Sequence, residues 1–180
     1  MLPFMPNDYR ISIYEVNYEA LKEQGIKAVF FDIDNTILPY DKDEVSDRTR
    51  ELFDHLKEIG LTVWILSNGK RERVERITSQ LKIRGVWRAG KPFLFNFRKA
   101  RRSNGFLPFE CAVIGDQIFT DVWVANAEGA LSILVRPISF KKDEKITRIK
   151  RPIERMMLKI MDLKPVRDPN RFISKNNMKK

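Results

Sequence analysis

Four short apolar runs, separated by stretches of helical periodicity, constrain this 180-residue chain more than any other feature. Lys27-Ala-Val-Phe-Phe-Asp32, Leu61-Thr-Val-Trp-Ile-Leu66, Cys111-Ala-Val-Ile114 and Leu131-Ser-Ile-Leu-Val135 have the length and residue types of buried strands. Asn17 is placed to cap a short helix ending at Gly25, with Ala20 and Leu21 on its inner side. Ser46 is placed to cap a helix running to about Ile59, in which Leu52, Phe53, Leu56 and Ile59 make one apolar face before Gly60 ends it. Further helices are expected over Arg71 to Leu81, Phe95 to Arg102 (stopped by Asn104-Gly105) and Thr120 to Glu128. Strands alternating with helices at such short intervals predict βαβ units. The fold class is therefore α/β, a Rossmann-like three-layer α/β/α arrangement with a mostly parallel central sheet. Ligands of such sheets bind beyond the carboxyl ends of the strands. Asp32, Asp34, Ser67, Asn68, Asp116 and Asp121 stand there.

The length suits one domain with a proper core, and an apolar share of 43% argues against wholesale disorder. A single cysteine, Cys111, excludes an internal disulfide framework, and its place at the head of an apolar run marks a buried structural thiol. No stretch reaches the ~18 apolar residues of a spanning helix and no signal-peptide pattern opens the chain, so a cytoplasmic protein is expected. The net charge of +10 is uneven: residues 141–180 hold 14 Lys/Arg against 5 Asp/Glu, and the remainder is almost neutral. Such a tail either serves an anionic partner, membrane surface or nucleic acid, or is a solvated helix with a loose end.

Asp32-Ile-Asp34-Asn-Thr36 sets two carboxylates two residues apart where an apolar strand stops, and positions i and i+2 of an extended chain point to the same side. Two acids there repel unless a cation or a proton intervenes, and Mg²⁺ commonly pairs one or two carboxylates with a substrate phosphate. An EF-hand loop needs glycine where Ile37 stands, and helices rather than a strand beside it. Gly115-Asp116, followed by Asp121, repeats the theme after another strand: Gly115 allows close backbone approach and Asp116 can complete a metal's coordination, although Asp121 alone reads equally as a helix N-terminal charge. Ser67-Asn68-Gly69 offers a hydroxyl and loop amides to phosphoryl oxygens, or a plain helix cap. Gly85 to Pro92 nearly spells a P-loop, but Pro92 has no hydroxyl for Mg²⁺ and Gly85 follows no clear strand, so an ATPase is rejected. Lys91 is left as a lone cation able to neutralise carboxylates and phosphate. His55, the one histidine, lies among charged neighbours on a surface helix and is given no catalytic part.

The ordered set Asp32-x-Asp34-x-Thr36, Ser67, Lys91 and Gly115-Asp116-x₄-Asp121 resembles the four motifs of the haloacid dehalogenase (HAD) superfamily of phosphatases over about Ile26 to Val135. The wording is most similar to the subclass IIIA, YqeG-like branch, related to phosphatidylglycerophosphate phosphatases of mitochondria and plastids. Val124 departs from the small residue that relatives often carry there, which touches local packing and not chemistry. The resemblance implies Asp32 as the nucleophile that becomes an aspartyl phosphate, and Asp34 as general acid and then base. It implies Mg²⁺ between Asp32, the backbone carbonyl of Asp34 and Asp116, with Asp121 positioning the metal or Lys91. Ser67, Asn68 and Lys91 would hold the phosphoryl group.

Only 30 residues separate Thr36 from Ser67, and 23 separate Ser67 from Lys91, so no large cap domain fits and an open site for a bulky substrate is expected. Residues 1–140 are assigned to the catalytic domain and 141–164 to a basic amphipathic helix, with 165–180 as a disordered tail. In that helix Ile146, Ile149, Ile153, Met156, Met157 and Ile160 recur at helical spacing, and Pro152 should kink or restart it. It is expected either to lie peripherally on an anionic membrane or to cover the domain's own core. Three functions follow: a phosphatase of a phospholipid precursor such as phosphatidylglycerophosphate, a phosphatase of a soluble phosphometabolite or nucleic-acid end, or an inactive domain whose tail binds RNA or membrane. The intact motif set argues against the last. Nothing in the sequence fixes the oligomeric state.

Overall fold

The computed structural model describes residues 3–139 and 145–167, with the side chains of 145–150 left out. Its six strands are β1 (Asp8–Arg10), β2 (Ala28–Phe31), β3 (Thr62–Leu66), β4 (Arg84–Val86), β5 (Cys111–Gly115) and β6 (Leu131–Val135). The helices are α1 (Tyr18–Glu23), α2 (Asp47–Glu58), α3 (Arg71–Leu81), α4 (Phe95–Arg102), α5 (Trp123–Glu128) and α6 (Lys145–Ile160). The strands form one sheet in the order β1-β6-β5-β2-β3-β4, and every pairing is parallel. This is the expected three-layer α/β/α fold. Between Thr36 and Lys91 the described residues hold only α2, β3, α3, β4 and their loops, with no separate cap.

The layers follow from the two-residue period of the strands. Val29, Phe31, Val63, Ile65 and Ile114 point to one face and meet Tyr18, Leu21, Phe53, Leu56, Val74 and Ile77 of α1, α2 and α3. Ala28, Phe30, Trp64, Leu66 and Val113 point to the other, against Phe97, Ala100, Val124 and Ala125 of α4 and α5. Val124 is fully buried in that second layer, so its extra bulk is absorbed by packing. Both predicted caps are made: Asn17 Oδ1 accepts from Ala20 N–H at 3.0 Å, and Ser46 Oγ from Thr49 N–H at 3.2 Å. Cys111 is buried, and burial pushes its thiol up to about 12, which leaves it an inert core residue.

Four readings are corrected. β1 and β4 were not foreseen; each is three residues long, at an edge, and too polar to show alternation. Gly85 thus lies within a strand, and its missing Cβ lets Thr78 and Ile65 approach, since a Cβ there would stand 2.7 Å from Thr78 Cγ2. The helix expected from Thr120 begins as a π-helical turn over Ile118–Val122 and becomes α-helical only at Trp123. α6 continues through Pro152, so the helix is not restarted there. The expected tail begins with an ordered residue, for Val166 N–H donates to Tyr9 O at 2.8 Å and bridges β1; residues 168–180 lie outside the described part.

Candidate active site

Three strand ends converge. Asp32 follows β2, Ser67 follows β3, and Asp116 follows β5, all nearly buried. Asp32 is held at the sheet by its own N–H, which donates to Ile114 O at 2.9 Å. Lys91 reaches in from the loop after β4: its Nζ donates to Asp32 Oδ1 at 2.8 Å and to Asp121 Oδ1 at 2.5 Å. Asp32, Asp116 and Asp121 each present an oxygen within 4.8 Å of the other two. Burial pushes the Asp32 carboxyl up to about 7 despite the pull of Lys91, with the Asp121 and Asp34 charges adding to the rise. For Lys91 burial favours the neutral amine, yet the Asp121 and Asp32 carboxylates outweigh it and hold the ammonium above its ordinary range. A cluster of buried, mutually repelling carboxylate oxygens is the donor set that suits a hard divalent cation.

The loops around the cluster are tied to each other. Ser67 Oγ accepts from Gly69 N–H at 3.0 Å, folding the β3 loop tightly. Asn68 is bonded twice to the backbone of Lys91, through Nδ2 to O at 2.9 Å and through Oδ1 from N–H at 2.8 Å. Its side-chain amide therefore orients Lys91. Asp34 stands apart from the three-carboxylate cluster, with its Oδ1 paired to Arg73 at 2.8 Å. His55 pairs with Glu19 at the surface.

Gly115 shows why the chain needs glycine before Asp116. A Cβ built there would stand 2.1 Å from Asp121 Cγ, so the Asp121 carboxyl packs in the space a side chain would fill. Gly115→Ala should displace Asp121 from Lys91, cost about 3 kcal/mol and lower the melting temperature by about 6–12 °C. Thermal unfolding followed by circular dichroism measures this; a variant melting within 2 °C of the parent would show that the loop yields freely.

The sequence pattern of haloacid dehalogenase-like hydrolases matches residues 9–129, a span that contains every strand-end residue above. The chain belongs to that family. Among its relatives, the probable phosphatase YqeG of Bacillus subtilis (strain 168) is 35% identical over 161 residues, covering 89% of this chain and 93% of that protein. Phosphatidylglycerophosphate phosphatase 1, chloroplastic/mitochondrial, of Arabidopsis thaliana is 28% identical over 157 residues, covering 80% of this chain but 44% of that protein. The fold is shared with a HAD phosphatase from Thermococcus onnurineus at a TM-score of 0.53 and 17% identity, covering 71% of this chain and 98% of that one. With these relatives the chain is an enzyme, a HAD-type phosphatase.

Two contacts of this HAD phosphatase come from outside the matched span. Arg151 of α6, itself buried, donates through Nη1 to Asp116 O at 2.8 Å and through Nη2 to Asp116 Oδ2. Glu154, one turn on, accepts from the N–H groups of Ile118 at 2.8 Å and Phe119 at 3.3 Å through Oε1. Burial pushes the Asp116 carboxyl well up, and Arg151 opposes that rise. Neither residue stands out in the sequence, where the apolar stripe through Ile153, Met156 and Ile160 marks the outer face of the helix. Arg151, Glu154, Leu158 and Met161 repeat at helical spacing too, and the apolar members of that set pack on Ile118, Val122 and Leu134. The charge pair at 151 and 154, spaced three apart within this second stripe, was the available signal.

Proposed function

We propose that this phosphatase hydrolyses phosphomonoesters through an aspartyl phosphate on Asp32, with Mg²⁺ as cofactor and phosphatidylglycerophosphate or a similar lipid-borne phosphate as substrate. The observation that carries the chemistry is Lys91 Nζ set between Asp32 and Asp121 beside Asp116. Asp32, the backbone carbonyl of Asp34 and Asp116 would hold the cation, with Asp121 supporting it and Lys91. When bound, the metal supplies positive charge that lets an anionic ester approach an anionic nucleophile. Ser67 Oγ and the amides of its loop bind phosphoryl oxygens. Asp32 Oδ attacks phosphorus, the bond from phosphorus to the leaving oxygen breaks, and Asp34 gives that oxygen a proton. Lys91 steadies the charge on Asp32 and then the phosphoryl group. Asp34 takes a proton from the incoming water, phosphate departs, and Asp32 is restored.

The lipid reading is supported by three things. The Arabidopsis relative carries that activity in its name, the chain between motifs adds no cap over the site, and α6 has an unusual outer face. On that face Ile153 is 48% exposed, Met156 56% and Ile160 75%, with exposed Arg155 and Lys159 beside them. No helix among the described residues is long and apolar enough to cross a membrane. Peripheral contact with an anionic bilayer uses both parts of the face, since each Lys or Arg near such a surface is worth about 1 kcal/mol and exposed apolar side chains enter the headgroup boundary. Arg155→Glu with Lys159→Glu should weaken co-sedimentation with phosphatidylglycerol vesicles by about 30-fold or more. It should also cut release of phosphate from phosphatidylglycerophosphate in those vesicles while leaving p-nitrophenyl phosphate hydrolysis near the parent rate. Binding of RNA in place of vesicles by the parent protein, or an equal loss on both substrates, would overturn the membrane reading.

A further inference from the structure

Arg73, in the first turn of α3, belongs to none of the four motifs, yet it makes the closest described contacts to Asp34. Its Nε and Nη2 both donate to Asp34 Oδ1, at 3.1 and 2.8 Å. The rest of the guanidinium grips the opposite loop: Nη1 donates to Lys42 O at 2.7 Å and to an oxygen of Asp43, and Nη2 to Pro39 O at 3.3 Å. Asp43 is itself paired a second time, to Arg76 one turn along α3. A planar five-donor fork is needed to serve two carboxylates and two loop carbonyls at once, and a lysine's single point of charge does not reproduce it.

The geometry divides the two oxygens of Asp34. Oδ1 is pinned by Arg73. Oδ2 faces the Ser67 loop, where a Cβ added to Gly69 would stand 3.9 Å from it and 3.1 Å from Ser67 Oγ. The pair is also largely withdrawn from water, with 17% of the Arg73 side chain and 21% of the Asp34 side chain exposed, so solvent screens it less than an ordinary surface pair. We infer that Arg73 is a positioning residue for Asp34: by holding Oδ1 it fixes the carboxyl group in one orientation, with the transferable proton on Oδ2 directed to the leaving oxygen of a phosphoryl group held at Ser67. The inference rests on the proton-transfer role proposed for Asp34. A group that transfers a proton must lie within about 2.6–3.2 Å of the receiving atom, and a carboxylate turning freely about its side-chain bonds meets that condition only part of the time.

A bland role, tying α3 to the loop of residues 39–43, would leave the chemistry indifferent to the leaving group. Proton donation does not, because an alkoxide needs a proton as it departs and p-nitrophenolate does not. The test is kcat/KM, which ends at formation of the phosphoenzyme, for glycerol 3-phosphate and for p-nitrophenyl phosphate with Mg²⁺. Arg73→Met should lower the value for the alkyl ester by about 30-fold or more and for the aryl ester by less than about threefold. Arg73→Lys should restore only part of the alkyl-ester loss. Asp34→Asn supplies the control and should show the same split more strongly. Equal losses on both esters in Arg73→Met, or no loss on either, overturn the inference while an Asp34→Asn split upholds the role of Asp34. If Asp34→Asn itself shows no split, the proton-transfer role and the inference fall together.

Discussion

Replacing Asp32 by Asn should reduce phosphate release by about 10⁴-fold or more and leave the protein folded. The change is nearly isosteric, and the backbone bond from residue 32 to Ile114 O does not depend on the side chain. What is lost is the anionic oxygen. An amide at this place is no nucleophile toward phosphorus, and nothing nearby replaces it, since Asp116 is bonded to Arg151 and Asp121 is packed against Gly115. The metal-free fold should lose less than when Lys91 is removed, because burial already disfavours the ionised form of Asp32 against the pull of Lys91, and Lys91 keeps its bond to Asp121 while the new amide oxygen can still accept from it. The check is phosphate release with Mg²⁺ on the best substrate found, beside a thermal melt in EDTA. Retention of a tenth of the parent rate would move the nucleophile elsewhere.

Lys91→Met should damage both stability and turnover. The ammonium is almost fully buried and is shared between Asp32 Oδ1 and Asp121 Oδ1. Methionine fills similar volume but leaves those two carboxylates facing each other, with Arg151 at Asp116 as the described cation left beside the cluster. Removing one partner of a buried ion pair costs about 3–5 kcal/mol, so the melting temperature in EDTA should fall by roughly 10 °C or more. Millimolar Mg²⁺ should recover part of this loss, because a divalent cation among Asp32, Asp116 and Asp121 restores opposite charge. Turnover should remain at least 10²-fold down even with the metal, since the charge that steadies the phosphoryl group is gone. Unchanged melting in EDTA would mean that the carboxylates are answered by protons or solvent and not by Lys91.

The central fold was legible because its signal is dense. Ala28 to Phe31, Thr62 to Leu66, Cys111 to Gly115 and Leu131 to Val135 are buried on both faces and so read as unbroken apolar runs. The ends of the same strands mark where polar residues gather, which is why Asp32, Ser67, Asp116 and Asp121 stand out in the sequence, whereas Lys91 stands out only through the near P-loop of Gly85 to Pro92 and the family resemblance. Edge strands were not legible. Asp8–Arg10 and Arg84–Val86 owe their extended form to a neighbour's hydrogen bonds more than to their own side chains. The π-helical turn at Ile118–Val122, closed by the Val122 N–H to Gln117 O bond and capped at its first two N–H groups by the Glu154 carboxylate, has no local sequence signature either.

The parts of the site missed in the sequence share one physical character. Arg73, Arg151 and Glu154 are charged residues on helices rich in other charges; a one-dimensional pattern gives no reason to prefer Arg73 to Arg71, and only the weak 151/154 spacing within the second stripe sets Arg151 apart from Arg155. Their contacts span long separations, 39 residues from Arg73 to Asp34 and 35 from Arg151 to Asp116. Only the packing of α3 and α6 against the sheet decides which of the cations turns inward. Asn68 adds a link of the same kind that the motif does not show, for its side-chain amide is bonded at both ends to the Lys91 backbone, 23 residues away.

In the proposed reaction Asp32 carries the phosphoryl group during turnover. Acid quench of the enzyme during hydrolysis, followed by borohydride reduction and peptide mass spectrometry, reads the position of an acyl phosphate directly, because reduction converts a phosphorylated aspartate to homoserine. Homoserine is expected at residue 32, present only when substrate and Mg²⁺ are both supplied and absent from Asp32→Asn. Homoserine at Asp34, Asp116 or Asp121, or full turnover with no acyl phosphate at any position, would contradict it.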